Sequence, residues 1–293
     1  MNLIEELLRV KSCSVVGLEK NTGKTVCLNY ILSHLPAGTR VAVTSIGLDG
    51  ESQDQVTGTK KPEIFLRKGM IFATSEKHYR QRHLTSELLD VSEIPTALGR
   101  LVTARVLHEG KVMLSGPGAT ELMKQWMRSV ASIADLTLVD GALSRMSLAS
   151  PAVSQAMVLA TGAAYSANID TLVRKTAYVV ELINLPLYCP VVNDEAVIEV
   201  KGAVTDRLLE NILNDKENKG KRLVIQDFTK VFADQMVWHR FIQHIPVYAR
   251  QRSHLLAVTV NPTAPNGMTL NSEVLCAKMS EAISLPVYDL MKE

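Results

Sequence analysis

Long apolar runs, paired cysteines and an excess of charge of one sign are all missing from this sequence, and each absence removes a class of protein. No segment reaches the roughly 20 apolar residues that a bilayer-spanning helix needs, so no membrane role is expected. The cysteines Cys13, Cys27, Cys189 and Cys276 lack the close paired spacing of a zinc site and suggest no disulfide framework. They read as small buried hydrophobes in a reducing compartment. With 32 Lys and Arg against 30 Asp and Glu, the net charge is +2, which offers no electrostatic reason to expect nucleic acid or an anionic membrane as partner. The tract DKENKGKR at 215–222 alternates in sign and contains Gly, the mark of a solvated loop. The seven histidines show no metal-ligand spacing. His78 and His83, in EKHYRQRH, read as surface residues, and no Ser/His/Asp set is recognisable. There is neither an internal repeat nor a low-complexity stretch.

What is present is apolar and regular. Of 293 residues, 46% are hydrophobic and 21% charged, enough to bury a large core. The opening MNLIEELLRVKS has apolar residues at 3, 4, 7 and 8, an amphipathic helix and not a signal peptide, so a cytoplasmic location is expected. Short β-rich runs then alternate with helical patterns, which predicts an α/β fold with helices flanking a largely parallel sheet. The runs are Ser12–Val16, Arg40–Ile46, Lys111–Ser115, Leu136–Asp140, Arg222–Ile225, Leu255–Val260 and Pro286–Leu290. Helices are predicted over Gly23–Leu35, Ala119–Ile133, Ile169–Asn184, Thr205–Leu213 and Ser272–Ile283, with Thr205 and Ser272 as caps. Between residues 50 and 110 the rhythm changes. EIFLRKGMIFATS reads as two strands around a Lys68–Gly69 turn, with a further β stretch over Leu98–Val106, together an antiparallel extension of the sheet. One domain over 1–293, and one whose residues from about 190 form a second lobe, both fit.

The strongest chemical signal is GLEKNTGKT, Gly17–Thr25, set between a β-run and a helix. A polyphosphate sits best where consecutive backbone N–H groups and a helix N-terminus converge, because both present positive partial charge. Gly23 admits close approach of the backbone, Lys24 reaches the terminal phosphates, and the Thr25 hydroxyl suits Mg²⁺. The usual G-x-x-x-x-G-K-S/T spacing places its first glycine at Leu18, whereas Gly17 stands one residue earlier, so the loop is longer or turns differently. The nucleotide-contacting set is therefore Gly17, Lys20, Asn21, Thr22, Gly23, Lys24, Thr25 and Val26. Some P-loop ATPases carry a second loop lysine that acts across a dimer, five residues before the first. Glu19 occupies that place here, so Lys20 reads better as a solvated lysine near an anionic ligand, and homo-oligomerisation stays open.

Phosphoryl transfer relies on positioning and charge neutralisation, so a carboxylate at the end of a second buried strand should hold Mg²⁺. Asp140 in ADLTLVDGA fits. Asp49 in SIGLDG, past the second β-run, could orient the attacking water or sense the γ-phosphate, with Gly47 and Gly50 allowing movement; an ordinary turn is the other reading. SGPG at 115–118 fits a pocket floor or a plain βα turn. Asn261, closing the run LLAVTV, stands where a base is read, or begins an Asn-Pro turn.

Together GLEKNTGKT, TSIGLDGESQDQVTGTKKP, LVDGALSRMSLASP and VLATGAA resemble the P-loop subunit family of lysine 5,6-aminomutase reactivases over about the first 185 residues. The resemblance implies an ATP-dependent, chaperone-like P-loop hydrolase using Mg²⁺, with GTP also open. With a companion subunit, it would restore an adenosylcobalamin-dependent lysine 5,6-aminomutase after cofactor damage. The alternatives are a small-molecule ligase or kinase of the dethiobiotin synthetase type, whose loop also ends in Gly-Lys-Thr-Val, and a nucleotide-dependent regulatory switch.

Overall fold

The computed structural model describes residues 3–46, 63–96, 98–142, 153–190 and 196–292. The elements in chain order are α1 (Leu3–Leu7), β1 (Ser12–Gly17), α2 (Lys24–His34), β2 (Val41–Ser45), β3 (Ile64–Leu66), β4 (Ile71–Ser75), α3 (Glu76–Arg80), β5 (His83–Thr96) and β6 (Gly99–Val112). There follow α4 (Thr120–Val130), β7 (Leu136–Ala142), β8 (Ala156–Gly162), α5 (Ile169–Ile183), β9 (Val197–Val200), α6 (Asp206–Asn214) and β10 (Arg222–Ile225). The chain continues with α7 (Gln235–Ile242), β11 (Val247–Ala249), β12 (His254–Asn261), α8 (Ser272–Ile283) and β13 (Val287–Tyr288).

The fold is α/β, with a mixed, mostly parallel sheet flanked by helices. Its order is β13-β12-β8-β1-β7-β2-β4-β6-β3. The strands from β13 to β4 are mutually parallel, and β6 runs antiparallel to β4, β3 and β5. β1 and β8 are buried at every residue, as strands covered on both faces must be. α2 lies on one face, where Cys27, Leu28, Ile31 and Leu32 pack on Cys13, Val15, Val43, Leu138 and Val158. Against the other face α4 sets Met123, Trp126 and Val130 on Ala42 and Val139, and α5 and α8 pack beside Val16 and Leu159. The chain leaves β1 toward β2 on one side, while β8 and β12 lie on the other. Such a reversal of strand order marks the carboxyl end of the sheet where α/β proteins bind ligands.

A second, three-stranded parallel sheet, β11-β10-β9, follows α5. Its Leu223, Ile225, Trp238 and Phe241 share one core with Leu172 and Val180 of α5 and Leu159 of β8. Trp238 Nε1 donates to Glu181 Oε1 across this junction (3.1 Å). Among the described residues no helix is long and apolar enough to cross a membrane.

Several expectations are corrected. Lys111–Ser115 is not a separate strand, because β6 ends at Val112. β3 and β4 stand on either side of the Lys68–Gly69 turn as expected, but do not pair with each other. β3 and β4 both pair with β6, and the Gly69 N–H donates to Val106 O (2.8 Å), so the turn is a kink along one edge of β6. α8 is capped by Asn271, whose side chain accepts from Val274 N, and not by Ser272; Thr205 caps α6 as expected. Cys189 is exposed and Cys276 half-buried, against the expectation that all four cysteines are buried.

Candidate functional site

β1 delivers the chain into the segment Gly17–Thr25 at the carboxyl end of the sheet. The residue in excess of the usual spacing is absorbed by the sheet. The Leu18 N–H donates to Ala160 O (2.9 Å), prolonging the β1–β8 ladder, and the Leu18 side chain is buried. The reversal that follows uses two left-handed residues, Asn21 (φ 61) and Gly23 (φ 94), conformations that Asn tolerates and Gly adopts freely. The Thr22 hydroxyl donates to Glu19 O (2.9 Å). Asn261 Nδ2 donates to Asn21 O (3.3 Å), and Asn261 Oδ1 accepts from Thr263 N (3.1 Å). A Cβ on Gly23 would stand 3.0 Å from the Asn261 Cβ. Asn261 thus fastens the loop to the end of β12.

α2 starts at Lys24 with Gly23 as its cap, no side chain bonded to its first amides and no acid in its first turn. Its positive end is left for a ligand. Lys24 turns back over the end of β1. A Cβ on Gly17 would lie 2.7 Å from Lys24 Cγ, Lys24 Cδ and Thr22 Oγ1. The missing side chain at Gly17 is what lets the lysine stem run there. Thr25 is half-buried beside it, and Val26, Lys20 and Asn21 are exposed.

Asp140 lies on β7, which pairs directly with β1, in register with Val15 on one side and Ser45 on the other. Alternation along β7 puts it on the same face as Leu138, the face that carries α2. The Cys27 thiol, in the first turn of α2, registers this carboxylate. Burial pushes its pKa up to about 12, a hydrogen bond with Thr259 opposes the rise, and the Asp140 charge adds to it. Thr25 thus lies in the first turn of α2, and Asp140 on the strand face that α2 covers. Among the described residues no group of three or more His, Cys, Asp or Glu could hold a metal ion. A hydroxyl and a carboxylate are the kinds of oxygen that Mg²⁺, which keeps most of its waters, takes from a protein beside substrate phosphates.

Asp49, Gly47 and Gly50 lie outside the described residues. SGPG packs against the end of β2, and a Cβ on Gly116 would stand 2.2 Å from Ser45 O and 2.5 Å from Thr44 Oγ1. His78 is not a surface residue. It is 3% exposed, its amide donates to Ser75 Oγ (3.3 Å), and its Nδ1 lies 2.7 Å from Ser115 Oγ. Ser75 caps α3 and turns the third residue of EKHYR inward, while His83 is exposed as expected.

Beside the loop is a small cleft of about 10 Å³, lined by Thr22, Gly23, Val26, Thr259, Asn261, Leu290 and Met291, among others. Leu290 and Met291 were no part of the expected site. They follow β13 and reach α2 only through the strand order, which no local motif announces. No family model matches this chain, and neither a curated protein nor a solved structure matches it significantly.

Proposed function

We propose that the chain is a P-loop nucleoside triphosphatase, and that its task is the ATP-driven reactivation of an adenosylcobalamin-dependent lysine 5,6-aminomutase with a companion subunit. The observation that carries the nucleotide reading is the Lys24 stem folded over Gly17 at a helix start that has no side-chain cap. There a lysine ammonium and helical amides serve one anion together. Lys24 neutralises the terminal phosphates, and Thr25 and Asp140 hold Mg²⁺, which draws charge from the transferring phosphoryl group when bound. Asp49 is assigned to the attacking water.

The reactivation reading rests on the family resemblance, supported by where its four segments fall. GLEKNTGKT leaves β1, TSIGLDGESQDQVTGTKKP leaves β2, LVDGALSRMSLASP leaves β7 and VLATGAA closes β8. These are four neighbouring strands of the sheet, and the described residues of the four segments include the carboxyl ends of those strands. Were a nucleotide bound there, segments leaving that edge would be the ones to respond to its γ-phosphate and alter a surface presented to a partner. Release of a tightly held, damaged cobalamin requires a partner that prefers the open mutase, and a ligand shifts such an equilibrium only through its differential affinity. A nucleotide cycle makes that preference alternate.

The test is to inactivate the mutase by turnover, add the chain with its companion subunit, ATP, Mg²⁺ and intact adenosylcobalamin, and follow recovered activity. Recovery is expected with the wild-type chain and not with Lys24→Ala or without ATP. Equal recovery in those controls defeats the ATP-driven mechanism, and turnover of a small organic substrate with ATP would replace it by a ligase or kinase.

A further inference from the structure

Asn261 ends β12 in register with Gly162 at the end of β8, and three segments of the carboxyl edge meet on it. Its Cβ stands between two glycines. A Cβ built on Gly23 of the phosphate loop, or on Gly162, would lie 3.0 Å from it, and the one on Gly162 would also stand 2.1 Å from Asn261 O. The Asn261 backbone oxygen accepts from Ala163 N (2.9 Å), which ties in the segment that leaves β8. The side-chain amide is used at both ends, Nδ2 donating to Asn21 O (3.3 Å) and Oδ1 accepting from Thr263 N (3.1 Å). The anchor is itself fixed, because Thr263 bridges Thr269 and Leu270 N donates to Pro262 O (2.9 Å).

What this amide holds is the costly part of the loop. Asn21 is left-handed (φ 61) and Gly23 follows at φ 94, a combination that an unrestrained chain populates only in the minority. A bond to the Asn21 carbonyl, which lies between the two, opposes relaxation of the turn. With the turn relaxed, the amides leading into α2 no longer converge on one anion. Reading a base, by contrast, needs an open amide with room beside it. Both ends of the Asn261 amide are engaged within the fold, and the free space beside it is about 10 Å³, that of a single water.

We infer that Asn261 is a positioning residue that pre-organises the phosphate loop from the end of β12, and so governs polyphosphate binding without regard to the base. The inference deepens the nucleotide reading and rests on it. A ligand that needs the ordered loop binds with an apparent Kd equal to its intrinsic value divided by the ordered fraction. Loss of the clamp therefore lowers the association rate and leaves the dissociation rate alone. The experiment measures calorimetric affinities and stopped-flow rates of the full chain with Mg²⁺-ATP and with Mg²⁺ and inorganic tripolyphosphate, which has no base. Wild type, Asn261→Ala and Lys24→Ala are compared. Asn261→Ala keeps the Cβ between the glycines and removes the amide. Beside it, the rate of tryptic cleavage after Lys20, which is exposed within the loop, is followed without ligand, with Asn261→Asp added. That variant keeps the acceptor for Thr263 N and loses the donor to Asn21 O.

Asn261→Ala is expected to weaken both ligands alike, by roughly three- to tenfold, the worth of one neutral hydrogen bond. The loss should lie in the association rate, and both Asn261 variants should be cut after Lys20 faster than wild type by a similar factor. A loss confined to ATP would assign Asn261 to the base and overturn the inference while the nucleotide reading stands. So would affinities within about 1.5-fold of wild type, a loss carried by the dissociation rate, or unchanged cleavage in both variants. If neither ligand binds the wild-type chain, or Lys24→Ala changes neither, the nucleotide reading itself is overturned and this inference with it.

Discussion

Replacing Gly17 by alanine adds one methyl group and separates the phosphate site from the fold that carries it. Gly17 is not among the residues with positive φ, so alanine meets no backbone penalty there. The added Cβ does meet Lys24 Cγ, Lys24 Cδ and Thr22 Oγ1, each at 2.7 Å, closer than carbon atoms approach. The lysine stem is flexible and moves aside, and its ammonium leaves the terminal phosphates. A charge-assisted hydrogen bond lost in this way is worth about 1.5–3 kcal/mol, or roughly 10- to 150-fold in Kd. The Thr22 hydroxyl, which donates to Glu19 O, is displaced at a cost of about 1 kcal/mol, a fall of about 2–4 °C in Tm. Calorimetry with Mg²⁺-ATP and a thermal melt read the two effects separately. An affinity within about twofold of wild type would refute the reasoning, because the lysine would then reach phosphate by another path.

Three further outcomes are expected. Asp140→Asn raises the Mg²⁺ requirement of hydrolysis and slows it, while Asp49→Asn slows hydrolysis with little effect on nucleotide affinity; a comparable loss of binding in Asp49→Asn would exchange the two roles. Burial holds the Cys27 thiol protonated up to about pH 12 against an ordinary value of 9.0, and Cys13 is pushed up by the same cause. Their contribution to stability is full below pH 9.0 and is lost as pH rises from 9.0 toward 12. A thiol reagent at neutral pH should therefore label exposed Cys189 quickly and leave Cys13 and Cys27 intact, and rapid labelling of Cys27 would contradict this. Phe241→Ala should cost about 3–5 kcal/mol in a denaturant titration monitored on the whole chain, since Phe241 is fully buried in the core common to both sheets; a cost below about 1 kcal/mol would mean that the site collapses freely.

The periodicity of the chain was enough to locate β1, β2, β7, β10, β12 and their neighbouring helices, because buried parallel strands read as short β-branched runs with helical patterns between them. β8 escaped. AMVLATG mixes small residues with Thr and Gly, and without alternation such a run is not told from a loop, although it pairs with β1 along its length. α7 escaped because QMVWHRFI spans only two turns, and its inward Trp238 and Phe241 are legible only once β10 and α5 are in place. At the candidate site, the loop was local and therefore readable, down to the displaced Gly17. Asp140 was legible as the carboxylate closing an apolar run, but the pairing of its strand β7 with β1 is a property of strand order and not of spacing. His78 was misread because its neighbours are charged; the Ser75 cap, three residues away from its amide, decides which way it points.

The central claim is that the start of α2 holds a nucleoside triphosphate through Lys24. Its most direct test is the equilibrium binding of Mg²⁺-ATP to wild type and to Lys24→Ala, with a melt of each in the absence of nucleotide. The account predicts a loss of at least about 30-fold in affinity at unchanged Tm, because the lysine serves phosphate and not the core. Equal affinity in the two proteins, or a loss matched by a fall in the ligand-free Tm, would contradict it.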